Sequence, residues 1–493
     1  MKKKNITDNK KKILFLLLFF IIIFFYYHAP EQIGEFLLND NNTAVYSVYA
    51  RTLIDFPSKT TKFLMAEIGP DGLPLIENSD NKYDYYINHP PFLVWTLAIL
   101  YKIFGYNLII GRSISIISSC LFFLILSIFL KNKIKDDKLY FITLIFIISF
   151  PIFFTHGLII EHQPLLNLTL MISSIFFLNI NKNKNLFTFG FILFWSISLL
   201  IDWPAYLFVI PYLVILIKKR KFKLIPIIIF LPVFFYLLLN FYHNYSTNNL
   251  NLTNFFGLNI LFERSLTNLL PDQDFFKSWV VSLFKMTYLF VHFNYQILAS
   301  ILFMSSCFII VKNYKKNNEI QNLFIIFLIP STMYMLMFRQ WAESHSYWSY
   351  YYIIPVALSL LIVLNQTKKK IKRIILTFVL ISATVNVYNT SSYLYEQKTS
   401  PLSKETLDFL EKYKNFYYVT DDDSIGFGFG FRNRWIENKK FNNINGFDFK
   451  NKNNILLVRR INNCQLKEGF DKIEFFNWCY KENNYFLNKY NLE

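Results

Sequence analysis

The residues of this chain that could do chemistry are few, and they stand where apolar runs begin or end. Asp40 and Arg51 lie in "LLNDNNTAVYSVYAR", Glu161 and His162 in "GLIIEHQP", and Asp202 and Trp203 in "LLIDWPAYL". Arg339, Glu343, His345 and Tyr347 lie in "FRQWAESHSYWSYYYIIP". His89 heads "HPPFLVWTLAILYKIF", and Arg112 follows it in "GRSISIIS". Carboxylates and histidines move protons. Arginine, histidine and tyrosine hold anions such as phosphate. Each also has a plainer reading. Asp40 and Asp202 suit helix caps, Glu161 and His162 suit a turn, and Arg339 could snorkel.

The elements that position these residues are apolar. The chain has 493 residues, 54% of them hydrophobic, with 56 Phe and a mean hydropathy of +0.30. Repeated apolar runs near spanning length make this a polytopic membrane protein. Ionisable groups at the border of a membrane are expensive, so a set of them is a candidate site. Spans are predicted near 13–28, 108–130, 139–157, 164–180, 186–201, 204–217, 224–240, 288–311, 323–338, 349–365 and 374–390.

The net charge of +18 is distributed like a topology signal. The links 2–12, 131–138, 181–185, 218–223, 312–319 and 368–373 hold about half of the 51 Lys and Arg, as cytoplasmic loops do. No nucleic-acid-binding signature accompanies them, so no nucleic acid is expected. The other links, 29–107, 158–163, 202–203, 241–287, 339–348 and 391–493, are long or aromatic. The two kinds alternate only if the run 92–104 does not cross. A spanning helix needs about twenty residues, and this run is shorter. It is read as an interfacial helix on the non-cytoplasmic side, with Pro90 and Pro91 at its first turn.

The layout is therefore about eleven spans, with the N-terminus cytoplasmic and the C-terminus periplasmic. Residues 1–390 form the membrane domain, with a first outer loop at 29–107. Residues 391–493 form a small periplasmic α/β domain, with a helix at 403–413, strands near 415–420 and 454–459, and "GFGFGF" at 426–431. "HAPEQIG" offers a poor cleavage site, so the first apolar run is read as an uncleaved anchor. Cys120 and Cys307 lie in apolar runs. Cys464 and Cys479 lie in the C-terminal region, where a disulfide is expected. "TDDDS" at 420–424 reads as a solvated turn. No metal site or cofactor is expected.

The stretches "YYINHPPFLVWTLAILYKIFG", "GRSISIIS", "EHQPLLNLTLMIS", "IDWPAY" and "HSYWSYYYIIPVAL" resemble the polyprenyl-phosphate-sugar-dependent glycosyltransferases of the GT-C class. Relatives in that class include the protein O-mannosyltransferases and the lipid A aminoarabinose transferases. The resemblance runs from the N-terminus to about residue 390. It implies an all-α GT-C membrane fold in the bacterial inner membrane. It also implies transfer of a sugar from a polyprenyl-phosphate donor to a periplasmic acceptor (a protein, lipid A or another glycan), without a metal and with inversion at the anomeric carbon.

The family places an acid of the first outer loop at the catalytic centre, in an Asp-Glu pair ahead of an aromatic helix ending in Ala-Arg. Here the helix is "AVYSVYAR", the pair reads Asp40-Asn41, and the expected slot falls nearer Asn42-Thr43. Asp40 is the first candidate and Glu161 the alternative. The donor phosphate is assigned to His89, Arg339, His345, Tyr347, Arg51 and Arg112. The acceptor cavity is assigned to His162, Asp202, Trp203 and Glu343. Two other readings stay open: a transporter or flippase of lipid-linked saccharide, and a non-catalytic GT-C homologue. No internal repeat is seen, and the charges sit at one face rather than at midplane, which favours the enzyme.

Overall fold

The computed structural model describes residues 2–29, 41–55, 65, 76–77, 82–83, 89–180, 184–246, 275–313, 318–338, 346–399 and 412, and five strands between 417 and 482. All eleven predicted spans fall on helical segments. They begin with α1 (Lys2–His28), which is followed by α2 (Asn41–Asp55) and α3 (Phe92–Phe104). Next come α4 (Leu108–Lys131), α5 (Asp137–Ile148), α6 (Pro151–Gly157), α7 (His162–Leu178) and α8 (Lys184–Ile201). α9 (Pro204–Leu207), α10 (Val209–Lys218), α11 (Ile225–Ser246), α12 (Phe275–Tyr288) and α13 (Gln296–Lys312) follow. The membrane part ends with α14 (Glu319–Met337), α15 (Ile353–Leu364) and α16 (Lys369–Thr399). α16 continues past residue 390.

Five of these helices are long and apolar enough to cross a membrane, and seven segments qualify if each bent pair counts as one span. Shorter apolar helices, α7 among them, complete the bundle. One bent pair has a local cause. Phe150 precedes Pro151, and the residue before a proline is driven out of the α region. Phe150 is extended at φ −71° and ψ 120°, Pro151 opens α6, and the axis turns by 54°. The reading of 139–157 as one run thus becomes a broken helix.

Side-chain caps fix three other starts. The Asn107 side chain accepts from Ile109 N at 2.8 Å ahead of α4, and Asp136 accepts from Lys138 N at 2.9 Å ahead of α5. Asn318 accepts from Ile320 N at 3.0 Å ahead of α14. Each satisfies an orphan donor of a first turn.

The two ends of the bundle can be told apart by side chains. At one end, buried Lys10 of α1 donates to the carbonyl of Ile134 at 2.7 Å and lies 3.4 Å from Asp137. The basic N-terminus and the basic 131–138 link therefore share an end. At the other end, His28 bonds Ser391 of α16 at 3.0 Å. Between them, aromatic packing fills the core, with Trp195, Tyr212 and Phe191 within 5.4 Å of one another by ring centre.

α3 has the predicted limits, and it does not run through the bundle. Pro91 stands at its N-cap, and Gly105, at φ +83°, closes it. A left-handed backbone there suits only glycine without strain. α3 buries Leu93, Val94, Leu97 and Tyr101, and leaves Ile99, Ile103 and Phe104 exposed. Its start contacts the turns at 162 and 202, and its end lies against Gly111 in the first turn of α4. Both tips lie at the end of the bundle opposite Lys10.

The described residues also form two sheets. Ile76–Glu77 (β1) and Lys82–Tyr83 (β2) pair antiparallel. Tyr417–Thr420 (β3), Phe441–Asn443 (β4), Ile455–Arg460 (β5), Asp471–Ile473 (β6) and Trp478–Glu482 (β7) form one mixed sheet in the order β4-β3-β5-β7-β6. β3 runs parallel to β4 and β5, and β7 runs antiparallel to β5 and β6. The strands expected near 415–420 and 454–459 are β3 and β5. The expected helix at 403–413, apart from Lys412, lies outside the described residues. So do "GFGFGF", the acidic run after Thr420, Cys464 and the Cys479 side chain.

Candidate active site

Two buried carboxylates organise the end of the bundle opposite the lysines. Asp202 sits between α8 and α9 and is 1% exposed. His89 Nδ1–H donates to its Oδ1 at 2.9 Å, Trp203 N donates to the same oxygen at 2.8 Å, and the Tyr351 hydroxyl donates to Oδ2 at 2.7 Å. A buried carboxylate is tolerated when donors surround it. Burial alone would raise its pKa. The charge and hydrogen bond of His89, the nearby His162 and the Tyr351 hydroxyl outweigh burial, and hold the carboxyl below its ordinary value. Asp202 therefore stays ionised and accepts the Nδ1–H of His89.

His89 is the more open member of this pair. Its ring stacks on His162 with centroids 4.6 Å apart, and Tyr46 of α2 meets His162 edge-on at 4.7 Å. His162 stands two residues ahead of Pro164, where the apolar run of α7 begins. Its Nε2 is buried with no hydrogen-bond partner among the described residues. Burial first, then His89, push its pKa down to about 3 against the pull of Asp202. It is a neutral histidine at physiological pH.

Glu161, 1% exposed, is the second carboxylate. His156 Nδ1–H of α6 donates to its Oε2 at 2.8 Å. The Tyr350 ring lies 5.9 Å from that of His156. The backbone beside Glu161 is held from α2, where Thr43 Oγ1 accepts from Ile160 N at 2.9 Å. Thr43 falls in the slot where the family pattern would place an acid.

The Gly-Arg pair after α3 has a packing role. A Cβ on Gly111 would lie 2.2 Å from the Tyr101 hydroxyl and 2.6 Å from Ile160 Cδ1. Only glycine lets α3 and the 158–161 turn close on α4 together. Arg112, fully buried, donates to the Leu158 carbonyl and so pins the same turn. Arg51 is placed elsewhere. It pairs with Asp55 at 3.2 Å and lies over the Tyr106 ring at 4.6 Å.

The fold thus brings together His89, Glu161, His162, Asp202 and Trp203. It adds Tyr351, His156, Thr43 and Tyr46, which the sequence reading did not name. His156 had a signal, since it is an ionisable residue inside an apolar run. Tyr351 had none beyond its place in an aromatic stretch. Asp40, Arg339, Glu343, His345 and the Tyr347 side chain lie outside the described residues. Among the described residues no three His, Cys, Asp or Glu side chains cluster as metal ligands would.

A solved structure shares this architecture. ArnT from Cupriavidus metallidurans bound to undecaprenyl phosphate superposes with a TM-score of 0.53 at 12% identity, covering 90% of this chain and 92% of that one. The Archaeoglobus fulgidus oligosaccharyltransferase, in complex with Zn and sulfate, gives a TM-score of 0.48 at 14% identity over 86% of this chain and 62% of that one. The first likeness shows the fold, which is that of this ArnT structure, and agrees with the motif resemblance. No family model and no curated protein matches the sequence.

Proposed function

We propose that this chain is a membrane glycosyltransferase that moves a sugar from a polyprenyl-phosphate donor to an acceptor outside the bacterial inner membrane. The observation that carries the reading is the meeting of His89, His162, Asp202 and Tyr351, drawn from four separated motifs, at one end of a GT-C fold. A site for lipid-phosphate sugar transfer needs a base for the acceptor, positive charge or donors for the departing phosphate, and an apolar wall for the lipid. Protonated on both ring nitrogens, His89 would keep Nδ1–H on Asp202 and offer Nε2–H to phosphate oxygen. α3 offers the apolar wall.

The acceptor oxygen attacks the anomeric carbon from the face opposite the phosphate. The bond from that carbon to the phosphate oxygen breaks, the lipid phosphate leaves with the electron pair, and the acceptor proton passes to a carboxylate. Asp40 is assigned that carboxylate. The choice is supported by Glu161, which is buried and already committed to His156, and by α2, whose Thr43 docks beside Glu161. Arg339, His345 and Tyr347 are assigned to the phosphate. Glu343 and Trp203 are assigned to the acceptor cavity. Arg51 and Arg112 act as supports, since each already holds a neighbour. The reading includes about eleven spans, a cytoplasmic N-terminus, a periplasmic domain after the last span, and no metal.

The test is transfer of labelled sugar from a polyprenyl-phosphate donor by the purified full-length chain. Asp40→Asn should cut turnover by roughly 10²–10⁴-fold, the usual effect of losing a general base, while donor binding persists. A wild-type rate in Asp40→Asn with a dead Glu161→Gln would move the base to Glu161. Wild-type turnover in both variants would remove the catalytic reading of this end.

A further inference from the structure

Helix α2 turns two adjoining stripes inward. Tyr46, Tyr49, Ala50 and Leu53, at the i, i+3, i+4, i+7 spacing of an apolar helix face, share one buried cluster with Leu97 of α3 and with Ile160. Beside them, at i, i+4 and i+8, run Thr43, Ser47 and Arg51, which are polar and equally buried. Each of these three meets a specific partner. Thr43 Oγ1 accepts from Ile160 N at 2.9 Å, the Ser47 and Tyr101 hydroxyls lie 3.0 Å apart, and Arg51 stands over the Tyr106 ring.

Apolar contacts tolerate a helix that slides by a fraction of a turn. Buried hydrogen bonds do not, because a slip leaves their donors unpaired. The polar stripe therefore sets the register of α2. Ser47 ties the helix to α3, and Thr43 ties it to the 158–161 turn. That turn is itself held from α4, where Arg112 donates to the Leu158 carbonyl. It leads directly into Glu161 and His162, and Tyr46 of α2 meets the His162 ring edge-on. Thr43 is also the member of the stripe nearest to Asp40, three positions further along the chain.

We propose that Thr43 is a positioning residue of the transfer reaction. Its hydroxyl, on the Ile160 N–H, fixes the height of the first turn of α2 beside Glu161 and His162, and with it the approach of the Asp40 carboxylate to the acceptor. The assignment rests on the reading of Asp40 as the base. A side chain that only filled this place would not need the hydroxyl, since valine has nearly the shape of threonine. The hydroxyl is what gives the start of α2 a single position.

The test compares the full-length wild type with Thr43→Val and Thr43→Ser in detergent, each shown to be folded by thermal unfolding. Hydrogen exchange read by mass spectrometry needs no substrate. Over residues 158–162 the valine variant should exchange faster than the wild type, and the serine variant at the wild-type rate. Turnover of a labelled polyprenyl-phosphate sugar should fall by about 10²-fold in Thr43→Val, the effect of a misplacement of about 1 Å. Affinity for the sugar-free polyprenyl phosphate should stay unchanged, and Thr43→Ser should restore most of the turnover. In an Asp40→Asn background the valine change should cost little more, because it acts through that carboxylate. Unchanged exchange in Thr43→Val would overturn the proposal. So would wild-type turnover in that variant, equal losses in the valine and serine variants, or a full additive loss on top of Asp40→Asn. Wild-type turnover in Asp40→Asn alone would overturn the base reading and the proposal together; with that variant slow, each of the other outcomes falls on Thr43. If Thr43→Val does not fold, Thr43→Ala takes its place with the same readouts.

Discussion

At one end of the bundle the carboxylates are buried and tied to histidines; at the other, buried Lys10 apart, the pair on the short links is partly exposed. Asp202 and Glu161 are each 1% exposed in their pairs with His89 and His156, whereas Lys133 and Glu319 are 28% and 35% exposed in theirs. The two kinds of ion pair differ in what they cost to form. Burying a carboxylate carries a desolvation penalty of several kcal/mol, which its partners only partly return. A solvated lysine pair costs little and contributes little. An arrangement as expensive as the first needs a reason beyond stability, and holding histidine tautomers in place for chemistry is one. The second needs only the rule that places basic links on the cytoplasmic side.

The largest effect expected from breaking this contrast is at Asp202. Asp202→Asn keeps the shape but removes the charge that holds His89, and its amide cannot accept from His89, Trp203 and Tyr351 together. Removing one partner of a buried pair costs about 3–5 kcal/mol. Reversible unfolding of the purified protein should show a loss of that size, and sugar transfer should fall with it. Asp202 acts through His89, so its variant should also weaken donor binding, which a purely structural loss at a distant core position would not do. A loss below about 1 kcal/mol would place Asp202 with the exposed pairs and sink the contrast.

Acid should act on the buried end next. His162 takes up a proton in the unfolded chain near pH 6.5, but in the folded chain only near pH 3. Between those values the unfolded state binds more protons, so stability falls as pH falls. At 1.36 kcal/mol per pKa unit, the loss by pH 5 is roughly 2 kcal/mol. Asp202 adds the same sign lower down. Its carboxyl is depressed in the fold, so its contribution is present above the unfolded value of 3.8 and is lost as pH falls through the folded one. His162→Phe should flatten the unfolding profile between pH 6.5 and 5. An unchanged slope in that variant would mean that another group sets it.

The same contrast explains what could be read from the sequence. Helix α3 was legible to the residue, because Pro90, Pro91 and Gly105 punctuate it locally. The basic end was legible as well, since lysine placement is a composition signal, and Lys10 does meet the 131–138 link. Membership of the buried end was legible only as a set of suspects. Which of them touch depends on how α3 folds back beside α4, and that follows from a hydroxyl lying against Gly111. The Tyr351 hydroxyl on Asp202 spans 149 positions of sequence, and His156 reaches Glu161 across the turn that follows α6. Neither contact leaves a periodic trace. Arg112 was read as a phosphate ligand; that its guanidinium also donates to the Leu158 carbonyl has no trace in the sequence.

The smallest effect is expected at the basic end, and it is the one that tests whether exposure is the right variable. Lys133→Gln removes the 2.7 Å pair with Glu319, a shorter distance than in either ion pair of the buried end. If distance decided the energy, the variant would lose as much as Asp202→Asn. Exposure decides instead, because water and salt screen the pair and both chains regain rotamer freedom when it breaks. Loss of stability in lipid-free detergent should therefore be about 0–1 kcal/mol, and should shrink further as salt is raised, while the loss in Asp202→Asn should barely change with salt. Parallel unfolding series at low and high salt make the comparison directly. A salt-insensitive loss of several kcal/mol in Lys133→Gln would mean that Glu319 is effectively desolvated, and the two ends would then differ in sign of charge but not in kind.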